Sequence, residues 1–183
     1  MSPEVVRRLI ALDGVDQVST YRGTDLAADF GLVRLVAMDL AERGESAFRF
    51  EAGDARDAID AFRTEDAVLI SDPLRYRTGL GLDSTLVLPT PAGQIDFRIA
   101  GVFTDYGTER GTVMMSRAAY DRYWADPVIS SLGLFATPGL GTEDIDVKLS
   151  DGMLTIKGEK SLEHREDEED YHLQERSFGT FQR

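Results

Sequence analysis

Apolar and polar positions change their period along the chain, and the changes mark its elements. Val5, Val6, Leu9, Ile10 and Leu12 recur at helical spacing, as one apolar face of a helix requires. Ser2-Pro3-Glu4 supplies a cap, a first-turn proline and an early acid, and Gly14 ends the stripe, which predicts a helix between them. Residues 15–21 and 32–38 read as strands, the second alternating only loosely through Leu32, Arg34 and Val36,. Asp54 is placed to cap a short helix through Phe62, with Ala58, Ile59 and Phe62 facing inward,. Residues 67–70 are a compact apolar run and predict a buried strand. Ser71-Asp72-Pro73 then opens another short helix that stops at Gly79,.

Beyond that point the period becomes that of a sheet. Strands are expected at 85–88, 95–103 and 112–115, with Pro89-Thr90-Pro91-Ala92-Gly93 as a turn and Ile95, Phe97 and Ile99 on one face,. A loop covers 105–111, Ser116 caps a helix carrying Ala119, Tyr120, Tyr123 and Trp124, and 131–136 is a further strand. Residues 144–149 and 153–157 alternate around Asp151-Gly152, the pattern of a β-hairpin. A charged connector follows at 161–170, then a short strand at 171–176 and the start of another at Phe178. Short helices and many strands, without regular βαβ alternation, predict an α+β fold. Its first part is a mixed α/β-sheet domain and its last part a short all-β segment.

Charge and composition divide the chain as well. The 183 residues carry 20 Lys+Arg against 33 Asp+Glu, a net charge of −13, which argues against partners that present phosphate, nucleic acid or anionic lipid alike. Residues 1–147 contain fourteen arginines, no lysine and no histidine; Lys148, Lys157, Lys160, His164 and His172 all follow. Solvated surface sites accept either cation, so such a break points to two origins. There is no cysteine, which removes disulfides and thiolate chemistry. No stretch reaches the roughly 18 apolar residues of a membrane span. The start lacks the basic-then-apolar order of a signal peptide, so the cytoplasm is the expected location of the chain as written.

Two resemblances sharpen the division. Leu12-Asp13-Gly14-Val15, Ala67-Val68-Leu69-Ile70-Ser71, Tyr76-Arg77-Thr78-Gly79-Leu80, Leu86-Val87-Leu88-Pro89-Thr90-Pro91-Ala92-Gly93 and Phe97-Arg98-Ile99-Ala100-Gly101-Val102-Phe103 stand in that order. With Asp105-Tyr106-Gly107 they resemble the extracytoplasmic core domain of MacB/FtsX-type ABC transporter permeases, over about residues 4–139. The resemblance implies a domain that contacts substrate, lipid or a partner protein while a separate ATPase drives the cycle. Pro138-Gly139-Leu140, Asp151-Gly152-Met153-Leu154-Thr155-Ile156-Lys157-Gly158-Glu159-Lys160 and the run from Tyr171 to Arg183 resemble the α-crystallin domain of small heat-shock proteins. That family's domain is an immunoglobulin-like β-sandwich that dimerises and holds unfolding clients without ATP. Only about its middle is present here, an incomplete sandwich, with Tyr171, His172, Leu173, Gln174 and Glu175 at the position of the strand exchanged between subunits. The expected division is therefore 1–139 and 140–183, a chimera in which a lone hairpin is marginal and unpaired β-edges invite self-association or protein partners.

Catalytic chemistry has little to stand on. His164 and His172 with Glu168 or Asp170 match no closed metal site, and Asp144, Asp146 and Asp151 do not keep the spacing of a calcium loop. The acidic run 166–170 reads as a hydrated spacer. Thr78-Gly79-Leu80-Gly81-Leu82-Asp83 has neither the glycines nor the Lys-Ser/Thr of a phosphate cradle,. No nucleophile elbow occurs. Phe103, Tyr106, Tyr120, Tyr123 and Trp124 read as core aromatics. The most distinctive loop carries Asp105, Tyr106 and Arg110 as a candidate partner contact, set against the simpler reading of a turn tied by Asp and Gly. The expectation is a non-enzymatic hybrid without cofactor or metal. The alternative is an ATP-independent small heat-shock-like chaperone or oligomerisation protein.

Overall fold

The computed structural model describes residues 3–11, 14–105, 107 and 110–137, the side chains of Pro3 and Val5 apart, and the backbone of 145–150, 153–163 and 176–182. The chain divides into two compact units, Met1–Ala11 with Gln17–Leu134 and Leu12–Asp16 with Phe135–Arg183.

In chain order the elements are α1 (Pro3–Ile10), β1 (Val15–Ala28), β2 (Gly31–Asp39), a 3-10 turn (Glu42–Ala47), β3 (Phe50–Ala52), α2 (Ala55–Thr64) and β4 (Ala67–Ser71). Then come α3 (Asp72–Thr78), β5 (Thr85–Thr90), β6 (Gly93–Phe103), β7 (Thr112–Ser116), α4 (Arg117–Trp124) and β8 (Ser131–Ala136). The strands form one mixed sheet in the order β3-β6-β4-β7-β2-β1-β8, with β5 also on β6. β4 runs parallel to β6 and β2 parallel to β7, whereas β1–β2, β4–β7, β3–β6 and β5–β6 are antiparallel.

Helices close both faces of this sheet. On one side Ala58, Ile59, Ala61 and Phe62 of α2 pack with Met38, Leu40, Ala67, Leu69, Ala100 and Phe103. On the other, Leu74 of α3 and Tyr120 of α4 pack with Val33, Leu35, Val68, Ile70, Leu86, Leu88, Phe97, Ile99, Val113 and Met115. A strand covered on both faces is apolar throughout rather than alternating, which is why β4 reads Ala-Val-Leu-Ile-Ser. Local chemistry starts and stops the helices as expected. Asp54 accepts from the amides of Arg56 and Asp57, Ser116 accepts from Ala119, and α3 ends on Gly79 at φ +72°, a conformation that costs glycine nothing.

One irregularity in β6 changes which core its last residues join. Ile99 lies opposite Val68 but Gly101 opposite Leu69, so Ala100 is an extra residue. A bulge shifts the phase of the side chains that follow it. Phe97 and Ile99 face α3 and α4 and Ala100 faces α2 by plain alternation; past the extra residue Val102 faces α3 and α4 and Phe103 faces α2, the reverse of what unbroken alternation would give. Gly101 permits the helix to come close: a Cβ there would lie 2.9 Å from the Phe50 ring and 3.0 Å from Ala58 Cβ.

Several expectations are corrected. β1 runs on to Ala28 and pairs with β2 across Asp29-Phe30, with Ala28 opposite Gly31; its mixed polarity hid the second half. Pro89 and Thr90 belong to β5, and the turn is only Pro91-Ala92. A proline is tolerated there because β5 lies at a sheet margin. β3 and the 3-10 turn were not legible in the pattern. In α1, Val6 and Leu9 are buried but Ile10 is 54% exposed.

In the second unit β9 (Ile145–Ser150), β10 (Met153–Glu163) and β11 (Arg176–Gln182) form an antiparallel sheet in the order β9-β10-β11. The expected hairpin is present, with Met153 opposite Ser150. The strand expected from Phe178 begins at Arg176 and is the third of this sheet, and Ser161, Leu162 and Glu163 pair with Phe178, Ser177 and Arg176 instead of opening the charged connector.

Because Phe62 is almost fully buried between α2 and the sheet, Phe62→Ala is expected to cost about 3–5 kcal/mol. Fluorescence of Trp124, the single tryptophan, followed through urea unfolding measures that loss. A loss below about 1 kcal/mol would show that α2 does not seal its face.

Candidate functional site

The loop after β6 is held by its first residue. Asp105 Oδ1 accepts from the Gly107 amide at 2.7 Å and Oδ2 from the Thr112 hydroxyl at 2.7 Å. The Asp105 amide donates to Asp72 Oδ1 at 2.9 Å, and the Thr112 amide donates to buried Ser71 Oγ at 2.8 Å. At Gly111, φ +79°, a Cβ would lie 3.0 Å from Leu74 backbone atoms, and its carbonyl accepts from the Arg34 amide at 3.0 Å. The ends of β4, β6 and β7 and the start of α3 thus share one polar seam. Both Asp105 oxygens are committed to holding the loop, so Asp105 braces it. Gly107 and Arg110 are exposed; Tyr106 lies outside the described residues, as do Tyr171, His172, Leu173, Gln174 and Glu175. The structure therefore brings Asp105 and Arg110 into one loop and leaves the other named residues untested.

A groove of about 380 Å³ opens between α2 and the segment before β5, lined among others by Asp54, Asp57, Asp60, Glu65, Asp83 and Arg98. Arg98 bridges it, with Nη2 2.6 Å from Glu65 Oε2 and Nη1 3.3 Å from Asp83 Oδ1. The hydrogen bond to Glu65 leads in raising the Arg98 pKa. Asp54 is committed to capping α2. The sequence marks Asp54 as a cap but gives no sign of the groove, because Asp83 and Arg98 reach α2 only through the tertiary fold.

A third cluster surrounds Asp126, between α4 and β8. Its Oδ2 accepts from Arg22 Nε at 2.7 Å and from the Tyr120 hydroxyl at 3.0 Å, and Oδ1 from the Val128 amide at 3.0 Å. The Val128 amide and then Arg22 hold the Asp126 carboxyl below its ordinary range. Burial, followed by the hydrogen bond to Asp126, raises the Tyr120 phenol. The Tyr120 ring stacks on Trp124 at 5.2 Å, and Trp124 on Phe97 at 6.2 Å. Tyr120 and Phe103 are core residues, as expected, on opposite faces of the sheet, while Tyr123 and Trp124 are partly buried against the cluster that holds Tyr120.

These geometries do not assemble a nucleophile, a base and an orienting group. Among the described residues no group of three His, Asp or Glu side chains is placed to hold a metal ion, and no helix is long and apolar enough to cross a membrane.

Known proteins match the two parts separately. The first part shares its fold with the extracellular domain of the ABC-type transporter YknZ from Gram-positive bacteria (TM-score 0.56, 12% identity, 74% of this chain and 73% of that one). The periplasmic region of MacB from Actinobacillus actinomycetemcomitans compares similarly (TM-score 0.56, 10% identity, 78% and 68%). In sequence, an uncharacterized ABC transporter permease protein of Mycobacterium tuberculosis is 28% identical over 141 residues, 74% of this chain. Residues 134–183 match the model of the Hsp20/alpha crystallin family, and small heat shock protein C2 of Rickettsia felis is 44% identical over 46 residues, 25% of this chain. The chain spans 16% of the permease and 30% of the small heat shock protein. Both resemblances expected from the sequence are thus found: permease extracytoplasmic domain in the first part, α-crystallin domain in the last. The observed mixed α/β fold, with its sheet-rich core, is that of the MacB-like periplasmic domains.

Replacing Asp105 by alanine leaves two donors unmatched at the base of the loop and is expected to cost about 1–3 kcal/mol, read as a lower urea midpoint. Asp126 has its pKa lowered in the folded state, so its contribution is complete above the unfolded carboxylate pKa and is lost as pH falls through the folded value. Thermal melts across the acid range should show that loss in the native protein and a shallower decline in Asp126→Asn.

Proposed function

We propose that the chain is a non-enzymatic hybrid, in which a permease-type extracytoplasmic domain of residues 1–139 contacts substrate or partner in export. Residues 140–183 contribute part of an immunoglobulin-like small heat-shock sandwich. The observation that supports this most is the shared fold with the YknZ and MacB domains over about three quarters of the chain. The polar clusters fit the same reading: Asp105 and Asp126 satisfy loop amides and hydroxyls, which suits a rigid contact surface better than a proton-transfer site. In this reading Asp105, Tyr106 and Arg110 form the partner-contact loop, and Tyr171, His172, Leu173, Gln174 and Glu175 the strand-exchange segment. The chain acts through protein partners or self-association at β-edges, and its permease-like part works outside the cytoplasm in its parent family.

A second reading, an ATP-independent chaperone, draws on the Hsp20 match over 134–183. Limited proteolysis with mass readout, combined with solution mass, separates the two. The hybrid reading expects a resistant body ending near Gly139 that keeps its own cooperative unfolding. A single resistant core running through to Arg183, in oligomers that suppress client aggregation without ATP, would favour the chaperone. Turnover of a small molecule lost on mutation of the acidic groove would overturn both.

A further inference from the structure

We propose that Asp126 is a latch that keeps strand β8 docked on β1, and that opening it frees β8 while the rest of the first sheet stays folded. After α4 the chain passes through Ala125 at φ +46°, a left-handed conformation unfavourable for a side chain with Cβ, so something must hold the turn. Asp126 does so from three directions. Its carboxylate gathers Arg22 of β1, Tyr120 of α4 and the Val128 amide of its own loop. Arg117 of α4, with Nε 2.8 Å from Asp121, donates to the Asp126 carbonyl and, at 2.9 Å, to the Val128 carbonyl. The last residue before β8 completes the attachment: the Ser130 amide donates to the Tyr21 carbonyl at 2.7 Å, and Ser130 Oγ accepts from the Gly23 amide at 3.2 Å.

The strand that the latch delivers is weakly anchored by comparison. β8 ends the strand order beside β1, and its residues are half-buried or exposed, whereas every residue of β4 is buried. Apolar burial therefore holds β4 far more firmly than β8, and local opening begins where burial is least. The Hsp20 match begins at Leu134, within β8, so the latch governs the strand at which the second family's sequence takes over. Release would also uncover the edge of β1 for pairing. The proposal stands on these contacts and does not depend on the permease reading.

Hydrogen exchange with mass readout on the full chain tests it. Asp126→Asn removes the charge that Arg22 faces, and exchange in β8 and at positions 20–24 of β1 should quicken about tenfold or more, with β4 and β6 unchanged. Tyr120→Phe should give a smaller effect in the same segments. Arg22→Ala should match Asp126→Asn, and the double variant should add little, as expected for two groups acting through one contact. Unchanged exchange in β8 of Asp126→Asn would overturn the latch. So would equal acceleration in β4 and β6, which would mean a general loss of stability.

Discussion

Everything in the first unit is arranged around the complete burial of β4. Ala67, Val68, Leu69, Ile70 and Ser71 are each 0% exposed. Five consecutive buried residues leave no face of that strand for water, so each side needs its own cover. α2 supplies one, and α3 with α4 the other. The flanking strands follow from the same demand, because the backbone amides and carbonyls of a buried strand must be paired within the protein. β6 and β7 supply those partners. The buried hydroxyl of Ser71 is satisfied by the Thr112 amide.

Alternation alone lets β4 serve both cores, but β6 changes phase partway along and needs a device to do so. The extra residue at Ala100 is that device, and Gly101 beside it opens the space through which α2 approaches. The polar surface does a different task. Ion pairs such as Arg98 with Glu65 and Asp83, or Arg34 with Asp25, are exposed and contribute little to stability. Asp126 differs because one carboxylate joins a strand, a helix and a loop. Asp105 differs because one side chain ties the loop after β6 to the first residue of β7.

Local signals are legible in the sequence wherever a few neighbouring residues decide the outcome. The caps Asp54 and Ser116, the glycine stop at Gly79, the apolar run of β4 and the Asp151-Gly152 hairpin are such cases. The second half of β1, the short β3 and the extension of β10 to Glu163 are not legible there, since their residues are strand-forming only because a partner strand lies beside them. Asp105 is legible as a turn residue, and its hydrogen bonds agree with that reading. The role of Asp126 is not legible in the sequence, because Arg22, its ion-pair partner, lies 104 residues away.

The sequence by itself determined the caps of α2 and α4, the stop of α3, the inward faces of α2 and α4, the change of character in its last quarter and both family resemblances. Those properties reside in short stretches, where side-chain period, caps and turn residues act over a few ångströms. Strand order, the mixed parallel and antiparallel pairing, the acidic groove and the Asp126 cluster were decided only by tertiary structure. Each depends on which distant segments share an edge or a face, and apolar burial, being non-directional, selects that partner only when the whole sheet is assembled.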